Sequence, residues 1–262
     1  MQTTCASLTV AASSHGARSH TAIRDKATAI LASFNTWAFK REHPTEPDLL
    51  ARVIEHRVAS SMAISFTLYW GKGPRHAVAQ PDITCLDYLV LLGQRIAAVY
   101  PPGAHFTLIL TDTHARLNGH SEASIKSYFD AMTAAARARS MAAVRLAGIV
   151  ASAPCPDATR QRIDPDVLCD LERCAAKWFR GDGDARAGAE RYLEMNMTER
   201  RAVEVTFPGS IFITFNGSRY RGLFPPSLPV FYMYSLRKGT SVKPWFLDAQ
   251  GRAFAGAGEF GG

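Results

Sequence analysis

The chain has 262 residues, of which 47% are hydrophobic and 20% charged, with 30 Lys and Arg against 23 Asp and Glu for a formal net charge of +7. That length and balance allow a sizeable core, and they exclude a membrane-spanning protein because even YLVLLGQRIAAVY is cut by Gln94 and Arg95 short of the roughly 20 apolar residues a bilayer needs. The basic residues are scattered among acids without a block, which argues against a nucleic-acid partner.

In chain order, residues 1–20 are small and polar and read as a disordered leader, and 21–262 as a single Rossmann-like α/β domain. Ile23, Ala27, Ile30, Leu31, Phe34 and Trp37 recur at helical spacing, and Leu50, Val53, Ile54 and Val58 do so after Pro47, so 21–60 is predicted as a helical cap. Through 61–150 the pattern alternates: MAISFTLYW as strand, TCLDYLVLLGQRIAAVY as helix, HFTLILTD as strand, SEASIKSYFDAMTAAARAR as helix and AAVRLAGIVA as a third strand. Such βαβ units predict a mostly parallel sheet with ligand sites beyond the carboxyl ends of its strands. The segment 151–201 reads as helical, broken by RGDGDARAG, and 202–262 as short strands, AVEVTF, SIFITFNG, LPVFYMYSL and VKPWFL, added antiparallel to the sheet edge.

The cysteines, Cys5, Cys85, Cys155, Cys169 and Cys174, form no CxxC pair. Dispersed thiols predict a reducing, cytoplasmic setting with neither a disulfide frame nor a zinc site.

Three stretches can carry chemistry. In YWGKGPR, Gly71 and Gly73 permit close backbone approach to a ligand and Trp70 offers a flat face to a cation; the alternative is an ordinary loop after the first strand. In LILTDTHARLNGHS, Asp112 ends the second strand where a ribose hydroxyl would lie, with His114, Asn118 and His120 in the same stretch. Its spacing matches no metal set, and the alternative is a turn whose Ser121 caps the next helix. In RYLEMNMTERR, Tyr192 and Asn196 share a helix face with Glu199 and can orient or receive a proton; the alternative is an exposed helix end.

The stretch IAAVYPPGAHFTLILTDTHARLNGHSEASIKSYF, preceded by QPDITCLDYLVLL, resembles the isonitrile (isocyanide) synthase family of pyoverdine and dityrosine biosynthesis proteins. What is shared is a Pro-Asp-plus-helix element, a VYPPGA turn, a strand ending in Asp and a helix carrying Tyr, over about Phe66 to Phe129, with a further likeness near Trp245. The chain departs from the family where LYWGKG replaces a Phe-Pro-Lys type segment and where Phe246 follows the late Pro-Trp. This resemblance implies isonitrile formation from an amino acid and ribulose 5-phosphate. In architecture and size the chain also resembles small Rossmann enzymes that consume S-adenosylmethionine, the azetidine-2-carboxylate synthases, which implies cyclisation of that molecule with release of methylthioadenosine.

The aromatic supply sets the order of these expectations. Trp70, Tyr69, Phe129, Tyr192 and Trp245 can line a dry pocket for a sulfonium, whereas a sugar phosphate calls for more cations than Lys72 and Arg75. The leading expectation is a natural-product enzyme, an S-adenosylmethionine lyase or cyclase, with S-adenosylmethionine as substrate and no metal. Tyr192 and Asn196 are its expected catalytic pair, and Trp70, Gly71, Gly73, Asp112, His114, Asn118 and Phe129 are expected to bind the small-molecule substrate. No nucleic acid or membrane partner is expected, and a non-ribosomal peptide synthetase pathway is the expected consumer. The alternatives are an isonitrile synthase, an S-adenosylmethionine-dependent methyltransferase, or a binding module without turnover.

Overall fold

The computed structural model describes residues 7–34, 42–71, 77–153, 164–233, 235–237 and 240–242, with side chains except at 7–19, 178, 235–237 and 240–242. Cys5, Trp37, Lys72, Gly73, Arg75, Cys155, Trp245 and Phe246 lie outside the described residues.

Two helices come first, α1 (Ser7–Ser33) and α2 (Pro47–Ala59), packed on each other. Because α1 begins at Ser7, most of the stretch expected to be a disordered leader is helical. The alternation then follows: β1 (Ile64–Trp70), α3 (Gln80–Val99), β2 (Ala104–Leu110), α4 (Asp112–Leu117), α5 (Glu122–Arg137) and β3 (Ala142–Arg145). The expected third strand stops early, since LAGIVA continues as α6 (Leu146–Ser152). Next come α7 (Pro165–Trp178), α8 (Ala185–Thr206), β4 (Ile211–Thr214), a 3-10 turn over Ser218–Leu223, β5 (Val230–Tyr232), β6 (Ser235–Arg237) and β7 (Thr240–Val242).

The main sheet is Rossmann-like, with order β3-β2-β1-β4-β5 and every pairing parallel. The antiparallel addition expected at its edge is therefore corrected. β4 and β5 join in parallel, AVEVTF forms the last turns of α8 instead of a strand, and antiparallel pairing is confined to the separate β6–β7 ribbon. The central strand β1 pairs along its whole length with β2 and through Phe66, Thr67 and Leu68 with β4.

Helix ends follow local chemistry. Asp82 reaches back to accept a hydrogen bond from the Ala79 backbone N–H at 2.9 Å, with Pro81 in the same first turn of α3. The predicted Ser121 cap of α5 accepts from Ser124 N–H at 3.3 Å, and Asp184 caps α8 by accepting from Ala187 N–H at 2.8 Å.

Successive residues of a strand point to opposite faces, and here each face has its own core. Phe66, Leu68 and Trp70 of β1 belong to the first, with Ile30, Ile54, Leu89, Ile125 and Phe129 from α1, α2, α3 and α5. The second contains Ile109, Phe212 and Val230 from the sheet, Leu146 from α6, and Tyr192 and Val203 from α8, with Tyr69 packed against it. Among the described residues no helix is long and apolar enough to cross a membrane.

Candidate functional site

The carboxyl ends of β1 and β2 are tied together before the chain turns into α4. Thr111 donates to the Trp70 carbonyl through both its N–H (2.9 Å) and its hydroxyl (3.0 Å). Asp112, buried at 4% exposure, then starts α4. Its Oδ1 accepts from the Ala147 N–H at 3.0 Å, in the first turn of α6, and its Oδ2 from Arg116 at 3.2 Å. Both oxygens expected to meet a ribose thus hold α4 against α6 and against its own next turn.

This docking turns His114 inward to α8, where Tyr192, Asn196 and Glu199 share one buried face through their spacing of four and three. His114 and Glu199 meet there, with Nε2 donating to Glu199 Oε2 at 2.6 Å and side-chain exposures of 1% and 2%. Thr113 donates to the other oxygen, Oε1, at 2.5 Å. A carboxylate on Nε2 keeps the ring proton there and the lone pair on Nδ1, and it stabilises the imidazolium formed when the ring takes a proton. Edge-on rings hold the imidazole in place: Tyr192 with centroids 5.1 Å apart and Tyr69 at 5.8 Å.

Tyr69 brings a further polar group into the cluster. Burial pushes its hydroxyl well above the ordinary phenol range, and nearby Glu199, Tyr192 and Glu204 push the same way, with Arg200 opposing. Burial also lowers the Arg200 guanidinium, against the influence of Glu204 and Tyr69, and Arg200 donates to the Gly222 carbonyl. Glu204 is held by Arg201 at 2.9 Å and by the Ser227 N–H. Taking so many ionisable groups out of water costs several kcal/mol each before compensation, and such concentrations are commoner at functional sites than in ordinary cores.

The other expected site residues are elsewhere. Trp70 faces the first core, where its Nε1 donates to the Tyr128 hydroxyl at 3.3 Å and that hydroxyl donates to Asp82 at 3.1 Å. Gly71 has φ +86°, and Phe129 lies directly against it, with the Arg145 guanidinium 4.8 Å over the Phe129 ring centroid. Asn118 closes α4, and its carbonyl accepts from the Arg180 N–H at 3.2 Å in the RGDGDARAG turn. His114, Tyr192 and Asn196 therefore come together on one face of the sheet, Trp70, Gly71 and Phe129 on the other, and Asp112 and Asn118 at the two ends of α4.

Sequence reasoning gave Glu199 its place on the α8 face but no role, and it used Tyr69 only as an aromatic wall. Strand alternation was the available signal for Tyr69, since it must point away from Trp70. Among the described residues no group of three or more His, Cys, Asp or Glu side chains is placed to hold a metal ion.

No family model matches the sequence, and no curated protein matches it. The PvcA protein from Pseudomonas aeruginosa has a similar structure, with a TM-score of 0.53 and 15% sequence identity over 84% of this chain and 87% of PvcA. At that identity the likeness shows a common α/β fold.

Proposed function

We propose that the chain is a small-molecule biosynthetic enzyme of the isonitrile synthase type, in which His114, held by Glu199, moves protons on an amino-acid substrate. The observation that carries this reading is the buried contact between His114 Nε2 and Glu199 Oε2 at 2.6 Å. It lies at the carboxyl ends of parallel strands, where ligands of such sheets bind. His114 also belongs to the Phe66 to Phe129 stretch that resembles the isonitrile synthases, and the fold likeness to PvcA favours the same reading. Joining an amine to a ketone takes up and releases protons at nitrogen, carbon and oxygen, which is work for an imidazole backed by a carboxylate.

The S-adenosylmethionine cyclase reading stands second. It asks Trp70 to face a sulfonium while Tyr192 handles the amine proton, yet the two side chains pack in cores on opposite faces of the sheet. Incubation with single amino acids plus ribulose 5-phosphate, or with S-adenosylmethionine alone, separates the readings by product mass. An amino acid that has gained one carbon and lost two hydrogens supports the isonitrile reading. Methylthioadenosine supports cyclisation, and unchanged reactants from every mixture overturn both readings.

A further inference from the structure

Around the His114–Glu199 pair, two buried polar atoms have no hydrogen-bond partner among the described residues: the Tyr69 hydroxyl and Asn196 Nδ2. They share a neighbourhood. The Tyr69 ring packs on His114, and its hydroxyl interacts electrostatically with Tyr192, Glu199 and Arg200. On α8 those residues lie one turn before and one turn after Asn196. Buried polar groups are nearly always paired, so two orphans beside one imidazole–carboxylate pair point to a missing acceptor.

Charge narrows what that acceptor is. Glu199 and Glu204 already place carboxylates at the cluster, and Arg200 is turned to the Gly222 carbonyl. A further anion would face repulsion in a low-dielectric setting, whereas a neutral oxygen would not. We propose that Tyr69 and Asn196 together donate to the neutral carbonyl oxygen of a small ligand, as a pair of hydrogen-bond donors that polarises the carbonyl beside His114. The inference rests on the proposed reading for where the ligand lies, not for which product forms. Burial keeps the phenol protonated, so Tyr69 stays a donor through the neutral pH range.

Ribulose 5-phosphate and ribitol 5-phosphate differ in a ketone against an alcohol, so calorimetry with the two isolates the carbonyl contact. The parent protein is expected to bind the ketone at least tenfold more tightly, and Tyr69→Phe and Asn196→Leu are each expected to reduce that preference to about threefold or less. Tyr69→Phe removes only an unpartnered hydroxyl, so its Tm without ligand is expected to equal or exceed that of the parent. A Tm lower by more than about 3 °C would assign the hydroxyl a structural bond and overturn the proposal. So would the absence of ketone preference in the parent, or its survival in both variants. A protein that shows the preference but makes no isonitrile from any amino acid keeps this inference and loses the proposed function.

Discussion

The Phe129 ring occupies the space beside Gly71 that any other residue would need: a Cβ built on Gly71 comes 2.5 Å from Phe129 Cε1. Gly71 is also at φ +86°, where side chains are strained. Gly71→Ala is therefore expected to lower stability by about 1 to 3 kcal/mol, read from urea unfolding. Adding Phe129→Leu to Gly71→Ala relieves the collision but not the backbone strain, so it should recover part of the difference beyond its own cost. A Gly71→Ala protein as stable as the parent would mean that the ring does not lie there.

His114→Ala leaves Glu199 buried without its imidazole, and breaking a buried pair from one side costs about 3 to 5 kcal/mol. Glu199→Gln keeps the shape and can still accept through its amide oxygen, so its Tm should fall less. It removes the charge that stabilises an imidazolium, and kcat in the amino acid and ribulose 5-phosphate assay should fall by about a hundredfold or more. Equal Tm losses in the two variants with undiminished Glu199→Gln turnover would reduce the pair to a packing feature.

Asp112→Ala takes the acceptor from the Ala147 N–H and from Arg116. Thermal or urea unfolding should show a loss of about 1 to 3 kcal/mol whether or not a nucleoside is present. Arg116→Ala, which keeps the Ala147 bond and is half-exposed, should cost less than half as much. The reverse order would show that the contact with α6 is not what Asp112 supports.

Stability should fall in alkali. The Tyr69 hydroxyl and the Cys85 thiol are both raised above their ordinary values, chiefly by burial. Both groups stay protonated in the folded chain while the unfolded chain begins to lose these protons near pH 9 for the thiol and pH 10 for the phenol. Above those values the unfolded state binds fewer protons, so stability present below them is lost as pH rises, by up to about 1.4 kcal/mol per pH unit for each group. Melting curves from pH 8 to 11 should slope downward, and Tyr69→Phe should flatten the slope above pH 10. An unchanged slope in that variant would mean that the phenol ionises in place.

The core elements from Ile64 to Arg137 were legible because α3 and α5 keep a helical period over long runs and β1 and β2 are short apolar runs bounded by turn signals. Shorter or ambiguous pieces were not. α4 has only DTHARL, too little for a period to show. In AVEVTF the alternating valines imitate a strand, although Val203 is buried and Val205 exposed on the closing turns of α8. The direction of β5 depended on the connection 215–229, which is long enough for the crossover that parallel pairing requires but carries no helical pattern of its own. At the site, helical spacing gathered Tyr192, Asn196 and Glu199, while the meeting of Glu199 with His114 joins residues 85 positions apart and left no local trace.

One feature of β1 also makes the site and the sheet interdependent. Tyr69 and Trp70 are neighbours in the chain, yet one belongs beside the ionisable cluster and the other inside an apolar core. A slip of a single residue between β1 and β2 would exchange their sides, pressing a phenol hydroxyl into hydrocarbon and an indole against His114. Misregistered pairings of the central strand are thus penalised at once on both faces, and Tyr69 and Trp70 together act as a check on its register.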